Sequence, residues 1–151
     1  MLAAARATIR RKKYCLLATR GLDGVDARVV LPMATDEALG VWIGTSPTSR
    51  KVAQVRACDR ATLVYEDDAR WACVVLLGRA EVVDHPDACQ RHFLPLHWAF
   101  FPGGPTSDYV LIKFVPERIE VLDLKRKVAP DPFGLAAAVL TRQGSGWVRE
   151  A

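Results

Sequence analysis

The sequence lacks the features of a membrane-spanning or disulfide-stapled protein. No apolar run approaches the roughly 20 residues that a transmembrane helix needs. The amino-terminal cations are followed by only a short apolar stretch, Tyr14 to Ala18, which does not suit a secretory signal. The four cysteines include no Cys-x-x-Cys pair. We therefore expect reduced thiols in a cytoplasmic protein without a membrane partner.

Several catalytic signatures are absent as well. The chain has no Walker loop, no nucleophile elbow and no Ser, His and Asp in the order of a hydrolase triad. Cys89, His92 and His97 are close in sequence, but their spacing fits no structural zinc pattern and no fourth ligand is evident. We predict no metal site, and we assign no catalytic residue.

The chain also lacks internal repeats, low-complexity tracts and linkers that would divide it. Its 151 residues are enough to bury one core. We expect one folded domain over residues 1–124, beginning with a short helix, and a C-terminal tail of the same domain over residues 125–151.

Positive charge is concentrated at the amino terminus, although the formal net charge is only +4. The first 13 residues contain cations and no acidic residue: Arg6, Arg10, Arg11, Lys12 and Lys13. The rest of the chain is nearly neutral, which argues against a broad nucleic-acid face. We expect an amphipathic first helix with a solvated cationic side and no nucleic-acid partner, while association through this arm stays open as an alternative.

The apolar pattern predicts a mainly β protein with a few helices. Short alternating runs, separated by Gly, Pro and Asp, favour six or seven antiparallel strands that curl into a small barrel. We expect strands at 14–19, 25–33, 39–43, 61–66, 71–84, 109–115 and 118–124, and helices at 2–13, 47–57, 86–94 and 132–140. Gly78 predicts a bulge or corner in the long 71–84 stretch. The Pro- and Gly-broken stretch 95–105 predicts no regular element.

Residues 44–51 concentrate the side chains that suit a phosphate. A predicted strand stops at Gly44, and we expect Ser46 to be the N-cap of a helix whose first position is Pro47. Arg50 and Lys51 then lie in its first turns. The helix dipole already makes this end positive, so two cations there are unfavourable unless an anion binds.

Two further residues extend this candidate anion site. Arg28 lies in the middle of a predicted strand, and its guanidinium can donate paired hydrogen bonds to a phosphate. Gln54 lies one helical turn after Arg50 and on the same side. The alternative is that Arg28 is a surface strand residue and that Arg50 and Lys51 form a solvated helix start.

Four segments of the chain resemble the pyridoxamine 5'-phosphate oxidase-like FMN-binding split-barrel family, and within it the branch of general stress protein 26. The segments are DARVVLP at 26–32, TSPTSRKVAQV at 45–55, LLGRAEVV at 76–83, and the FPGGP loop before DYVLIKFVPERIEVLD. The resemblance covers roughly residues 8–124, and its most specific part is the Ser-Arg-Lys-x-x-Gln run.

The resemblance implies a homodimer of split barrels with FMN bound in each of two clefts at the subunit interface. Carried over by position, the phosphate ligands would be Arg28, Ser49, Arg50 and Lys51; Thr45 and Ser46 would lie near the ribityl chain or ring; Val29 and Val30 would line the isoalloxazine through their backbone; and Gln54 would make a polar contact to the flavin.

The function that this implies is a flavin-dependent oxidoreductase with a small-molecule substrate and a nicotinamide nucleotide as candidate electron donor. Two alternatives stay open: a flavin-binding stress protein without turnover, and a reductase that uses a deazaflavin (F420). The chain departs from true pyridoxamine-phosphate oxidases at Met33, where they have lysine, and at Cys73, where they have glutamine. Its tail cannot be matched to theirs, so the substrate is left open.

The aromatic stretch after residue 95 is the predicted substrate wall. His97, Trp98 and Phe100, with the neighbouring Phe101, would form a flat apolar slot over the flavin. His97 is a candidate proton donor, because its charge changes near neutral pH. The alternatives are that the aromatic side chains plug the barrel end or the dimer interface, and that His97 is a packed, hydrogen-bonded histidine.

Overall fold

The computed structural model describes residues 1–128 and 136–150. These residues form three α-helices, two 3₁₀ helices and eight β-strands. The helices are α1 (Leu2–Arg11), α2 (Arg50–Ala57) and α3 (Pro86–Arg91), with 3₁₀ helices at Asp68–Arg70 and Pro95–Ala99. The strands are β1 (Cys15–Arg20), β2 (Val25–Val30), β3 (Val41–Thr45), β4 (Arg60–Asp67), β5 (Ala72–Val83), β6 (Val110–Asp123), β7 (Ala138–Gln143) and β8 (Gly146–Arg149).

The strands form one antiparallel sheet that curls back on itself. Its order is β2-β1-β4-β5-β6-β7-β8, and β3 pairs with the first part of β6. The chain just after β2 reaches β3 through a bridge between Pro32 and Ile43, and the Met33 amide donates to the Trp42 carbonyl at 2.9 Å. This contact links the first six strands into a ring, which confirms the predicted mainly β barrel. It also brings the ends of β2 and β3 side by side.

The bend of β5 depends on Gly78, as predicted. The register between β5 and β6 shifts between Leu77 and Gly78. A Cβ atom at Gly78 would lie 2.1 Å from the Val115 carbonyl oxygen and 2.8 Å from Pro116 Cα, so only glycine permits this approach. Pro116 lies opposite Gly78 at the irregularity, and β6 continues through it. The prediction of two separate strands around Pro116 was therefore wrong.

One apolar core fills the ring. Alternate residues of the strands point inward, among them Leu17, Leu63, Leu76, Phe114 and Ile119, all fully buried. The small residues Ala4 and Ala5 of α1 and the valines Val52 and Val55 of α2 belong to the same cluster. Both helices therefore lie directly on the barrel, and the orientation of α2 is fixed by core packing.

The C-terminal segment differs from the prediction. Strands β7 and β8 form a hairpin, and β7 pairs with the second part of β6. The helix predicted at 132–140 was wrong for Ala138–Leu140, which belong to β7; residues 132–135 lie outside the described residues. Burial alternates along Ala138, Val139, Leu140 and Thr141, which is the period of a strand on a core. The described residues thus contain eight strands, against the expected six or seven.

The cysteines are free thiols. Burial raises the pKa of the Cys15 thiol to about 11, so this group stays protonated at neutral pH. No helix within residues 1–128 and 136–150 is both long and apolar enough to span a bilayer.

Replacing Gly78 tests the origin of the barrel bend. Gly78→Ala should lower the free energy of unfolding by about 1–3 kcal/mol, because the added methyl group collides with the backbone of β6. Urea unfolding measures this loss. Gly146→Ala is the control, since the nearest atom to its Cβ would be 3.8 Å away. Equal unfolding midpoints for both variants would show that the barrel does not depend on glycine at position 78.

Candidate functional site

A cavity of about 340 Å³ lies where the ends of β2 and β3, the start of α2 and the 95–101 segment meet. Hydroxyl groups and one ammonium group line one part of it, and aliphatic and aromatic side chains line the rest. The lining residues are Val29, Val30, Leu31, Ile43, Gly44, Thr45, Ser46, Ser49, Lys51, His97, Phe100 and Phe101. Nine of the residues predicted from the sequence therefore share one cavity: Val29, Val30, Thr45, Ser46, Ser49, Lys51, His97, Phe100 and Phe101.

The helix start differs from the prediction by one turn. Residues 46–49 form a turn closed by the Ser49 amide on the Ser46 carbonyl at 3.1 Å, and α2 begins at Arg50 with Ser49 as N-cap. The prediction of Ser46 as N-cap and Pro47 as first helical residue was therefore wrong. Proline suits the second position of a turn as well as the first of a helix, because both have the same φ. The change moves Arg50 and Lys51 to the very first positions of the helix.

The start of α2 is not capped by its own side chains. Ser49 makes no capping hydrogen bond to the helix amides, and the first turn contains no acidic residue. The Ser49 hydroxyl lies 3.2 Å from Thr45 Oγ1, and the Lys51 ammonium donates to that same Thr45 oxygen at 3.0 Å. The first amides of a helix have no intrahelical acceptors. Amides, two hydroxyls and an ammonium thus lie together at the cavity.

Arg28 is held beside this cluster by a polar network. Its guanidinium donates to the Gln54 side-chain oxygen at 2.8 Å and to the hydroxyl of Thr19. Gln54 Nε2 in turn donates to the carboxylate of Asp26, which lies 3.9 Å from Arg28. Gln54 therefore orients Arg28 and Asp26 with both ends of its amide.

Positive charges perturb one another in this region. Burial lowers the pKa of Lys51, and the charge of Arg28 lowers it further. Burial likewise lowers the pKa of Arg28, where Asp26 acts in the opposite direction and Arg50 adds to the lowering. Arg28 forms an ion pair only with Asp26 among the described residues, and Lys51 forms none there. The cluster is therefore electrostatically unbalanced in a way that an anion would relieve.

Four of the predicted residues do not line the cavity. Arg50 and Gln54 line a neighbouring groove of about 480 Å³ along α2, together with Arg20 and Ala53. Arg28 lies in the polar network between the two. Trp98 is 56% exposed and packs edge-on against Phe93 with ring centroids 5.1 Å apart, so it belongs to the outer surface of the aromatic segment.

The aromatic segment is more ordered than predicted. Residues Pro95–Ala99 form a 3₁₀ helix, so the prediction of no regular element from 95 to 105 was wrong for that part. His97 is 5% exposed, and burial lowers its pKa. Its Nδ1 accepts a hydrogen bond from the Leu94 amide at 3.1 Å. His97 is thus packed and hydrogen-bonded, and it also lines the cavity.

Sequence reasoning missed Tyr109, which supports His97 from behind. The Tyr109 hydroxyl donates to the His92 carbonyl at 3.1 Å and lies 3.3 Å from His97 Nδ1. The Tyr109 ring packs over Gly44, where a Cβ would lie 2.5 Å from the ring. The sequence signal for this contact was Gly44 itself, because a glycine inside a strand often marks a place where another group approaches the backbone closely.

The remaining histidine and cysteine near this segment are occupied by structural contacts. His92 stacks on Trp42 with ring centroids 4.2 Å apart, and its Nδ1 lies 3.0 Å from the Ala88 carbonyl. The Cys89 thiol donates to the Val83 carbonyl at 3.7 Å. No group of three or more metal-ligating side chains occurs within the described parts of the chain.

Comparison with known proteins identifies the fold family. The family model described as "Pyridoxamine 5'-phosphate oxidase like" matches residues 3–145. The chain belongs to this family. No curated protein matches it.

Solved structures share the fold of this chain at low sequence identity. A protein related to general stress protein 26, from Clostridium acetobutylicum, is 18% identical with a TM-score of 0.74, covering 81% of this chain and 87% of that one. A pyridoxamine 5'-phosphate oxidase-related, FMN binding protein from Nostoc punctiforme is 16% identical with a TM-score of 0.70, covering 99% and 93%. A general stress FMN/FAD binding protein from Xanthomonas citri is 15% identical with a TM-score of 0.70, covering 82% and 90%.

Gly44 can be tested as the support of the Tyr109 ring. Gly44→Ala should destabilise the protein by about 1–3 kcal/mol, because its methyl group collides with that ring. In a Tyr109→Leu background, Gly44→Ala should cause a smaller loss in the free energy of unfolding, because the ring atoms with which the methyl group collides are absent. Urea unfolding of the four proteins of this cycle measures the coupling. Additive losses would show that Gly44 does not act through Tyr109.

Proposed function

We propose that this protein binds FMN, with the phosphate at the start of α2 and the isoalloxazine ring in the adjoining cavity, and acts as a flavin-dependent oxidoreductase on a small organic molecule. The observation that carries the proposal is the unbalanced positive charge at the uncapped start of α2, open to a cavity with apolar walls. The family membership and the names of the Nostoc and Xanthomonas proteins agree with a flavin ligand.

The donor set fits a phosphate monoester. Ser49, Lys51 and the first amides of α2 would hold its oxygens, and Arg28 and Arg50 would balance its second charge. Thr45 and Ser46 would meet the ribityl chain. Gln54 is better suited to orienting Arg28 than to contacting the flavin, because both ends of its amide already bond Arg28 and Asp26.

The walls of the cavity fit a planar ring. The aliphatic side chains of Ile43 and Leu31 and the rings of Phe100 and Phe101 give the cavity apolar walls, and the backbone of Val29 and Val30 would offer amide and carbonyl groups to the edge of a bound ring. When bound, the flavin would supply hydride transfer at N5. The cations of Arg28 and Lys51 would stabilise negative charge on the ligand, and His97 would present its side chain to the cavity.

A homodimer with the cofactor at the subunit interface is part of the proposal. The outer face of β1 and β2 exposes an apolar strip in which Leu16 is 40% and Val29 63% exposed, and these two residues are opposite each other in the strand pair. Val29 also lines the cavity. A second copy packed on this strip would therefore cover the cavity and bury the exposed side chains.

The substrate is not proposed to be pyridoxamine 5'-phosphate. The side chain at position 33 is the apolar Met33, which packs against the buried residues Cys89, Tyr109 and Leu111 and has no charged group to bind a substrate phosphate. Cys73 stands where pyridoxamine-phosphate oxidases have glutamine. Its thiol is half-buried, and burial raises its pKa, with Glu66 and Glu120 adding to the effect.

A nicotinamide nucleotide is the proposed electron donor, and the protein is proposed to act in the cytoplasm.

Removing the cations at the helix start should weaken FMN binding. Arg50→Ala combined with Lys51→Ala should lower the affinity about 100-fold or more, because charged hydrogen bonds contribute about 1.5–3 kcal/mol each. The matched control is Arg56→Ala, which removes an exposed cation from the last turn of the same helix, where it pairs with Asp84.

Equilibrium titration followed by flavin fluorescence measures the FMN affinities of the wild-type protein, the Arg50→Ala and Lys51→Ala double variant, and the Arg56→Ala control. An equal loss in the Arg56→Ala protein would show that the effect is one of overall charge. A protein that retains a deazaflavin but no FMN would favour the F420 alternative, and one that retains FMN without consuming NADH or NADPH would favour flavin binding without turnover.

The proposed dimer can be tested on the apolar strip. Leu16→Asp should convert a dimer into a monomer, because the carboxylate would be buried in the interface. Val148→Asp on β8, where the side chain is 45% exposed, should leave the mass unchanged. Light scattering coupled to size exclusion gives the masses. A wild-type monomer would contradict the dimer.

A further inference from the structure

His97 is a buried side chain whose hydrogen bonds fix the position of its proton. The ring belongs to the 3₁₀ helix Pro95–Ala99, where the His97 amide donates to the Leu94 carbonyl at 2.9 Å. In return the Leu94 amide donates to His97 Nδ1 at 3.1 Å. These two reciprocal hydrogen bonds between Leu94 and His97 fix the orientation of the imidazole through its Nδ1 edge.

The Leu94 bond determines the tautomer. A backbone amide can only donate, so Nδ1 must accept and cannot carry a proton. The Tyr109 hydroxyl lies 3.1 Å from the His92 carbonyl oxygen and 3.3 Å from Nδ1, and its single proton can rotate to either acceptor. An unprotonated Nδ1 therefore faces two donors, the Leu94 amide and the Tyr109 hydroxyl. The neutral imidazole therefore carries its proton on Nε2.

The ring also stays uncharged near neutral pH. A protonated imidazole would direct Nδ1–H at the Leu94 N–H, which leaves two donors facing each other. Burial lowers the pKa of His97, which acts in the same direction. The phenol of Tyr109 beside it has its pKa raised by burial and remains neutral too. Nε2–H is thus a permanent donor without charge.

The Nε2–H group has no protein acceptor among the described residues. The faces and edges of the ring contact Phe93, Phe101 and Tyr109, with ring centroids 5.5, 6.1 and 5.4 Å away. The two phenylalanine rings carry no acceptor oxygen, and the Tyr109 hydroxyl lies beside Nδ1, the other ring nitrogen. Nε2 is not among the buried side-chain atoms of the described residues that lack a partner, so it is accessible to a ligand. His97 lines the cavity, so the cavity is where an acceptor can reach it.

We propose that His97 donates a hydrogen bond through Nε2–H to an acceptor atom of the planar ligand in this cavity, either a carbonyl oxygen or an unprotonated ring nitrogen. The inference rests on the proposed function, since it concerns the ligand of the same site. The donor cannot become an acceptor, because its tautomer is fixed by the backbone. The site therefore discriminates against ligands that present an N–H or amino group at this position. Tyr109 acts as a positioning residue for the ring.

The tautomer is tested without any ligand. Nitrogen NMR of the ¹⁵N-histidine-labelled, ligand-free protein at pH 7 should show His97 as the Nε2–H form, and His97→Gln assigns the signal by its loss. Tyr109→Phe should leave the tautomer unchanged, because the Leu94 amide still requires it. A signal for the Nδ1–H form or for a charged imidazole would overturn the inference.

The donor role is tested by adding FMN. Saturating FMN should shift the Nε2–H resonance of the wild-type protein, and His97→Phe should weaken FMN binding about 2- to 10-fold, as expected for one neutral hydrogen bond. His97→Gln, which keeps a side-chain N–H donor, should recover part of the loss. An unmoved resonance together with unchanged affinity in His97→Phe would overturn the donor role alone. A wild-type protein that binds no flavin would overturn the proposed function as well, while the tautomer result would stand.

Discussion

The candidate site of this protein is built around the positive charge held at the start of α2. Arg50 and Lys51 occupy the first helical positions, Arg28 lies beside them on β2, and Asp26 is the carboxylate that approaches Arg28. A helix dipole makes this arrangement unfavourable in the free protein. The packing of Val52 and Val55 in the core keeps α2 in place in spite of that cost. A bound anion would convert an electrostatic penalty into binding free energy.

The barrel supplies the geometry around that charge. The Pro32–Ile43 bridge brings the end of β2 against β3, so that backbone, hydroxyls and cation face one cavity. Two glycines make close approaches possible. Gly78 lets β5 and β6 bend together, and Gly44 lets the Tyr109 ring lie against β3 and support His97. The proposed neutral donor of His97 complements the cations. The cations would select an anionic group of the ligand, and His97 would select a hydrogen-bond acceptor on the ligand's planar ring.

Much of the fold and the core of the site followed from the sequence. Alternating apolar runs predicted β1 to β5, and Gly78 predicted the bulge, because both are local signals of backbone geometry. The sequence divided β6 into two strands at Pro116, where the observed strand continues. The local concentration of Thr45, Ser49 and Lys51 likewise predicted that their hydroxyls and ammonium group lie together; the anion site itself stays a prediction. The predictions that failed concern elements whose structure depends on tertiary contacts. Pro47 fits a turn as well as a helix start, and the alanines before Leu140 favour a helix until β6 offers a strand partner.

The contacts of Tyr109 and Gln54 were also beyond local pattern. Tyr109 meets Gly44 because β6 pairs with β3, and Gln54 reaches Arg28 and Asp26 because α2 packs over β1 and β5. We propose that the site recognises a phosphate attached to a flavin ring. The affinities of the unmodified protein for FMN and for riboflavin, measured at the same ionic strength, test this directly. FMN should bind about 100-fold or more tightly than riboflavin, because riboflavin lacks the phosphate; equal affinities would contradict recognition of the phosphate.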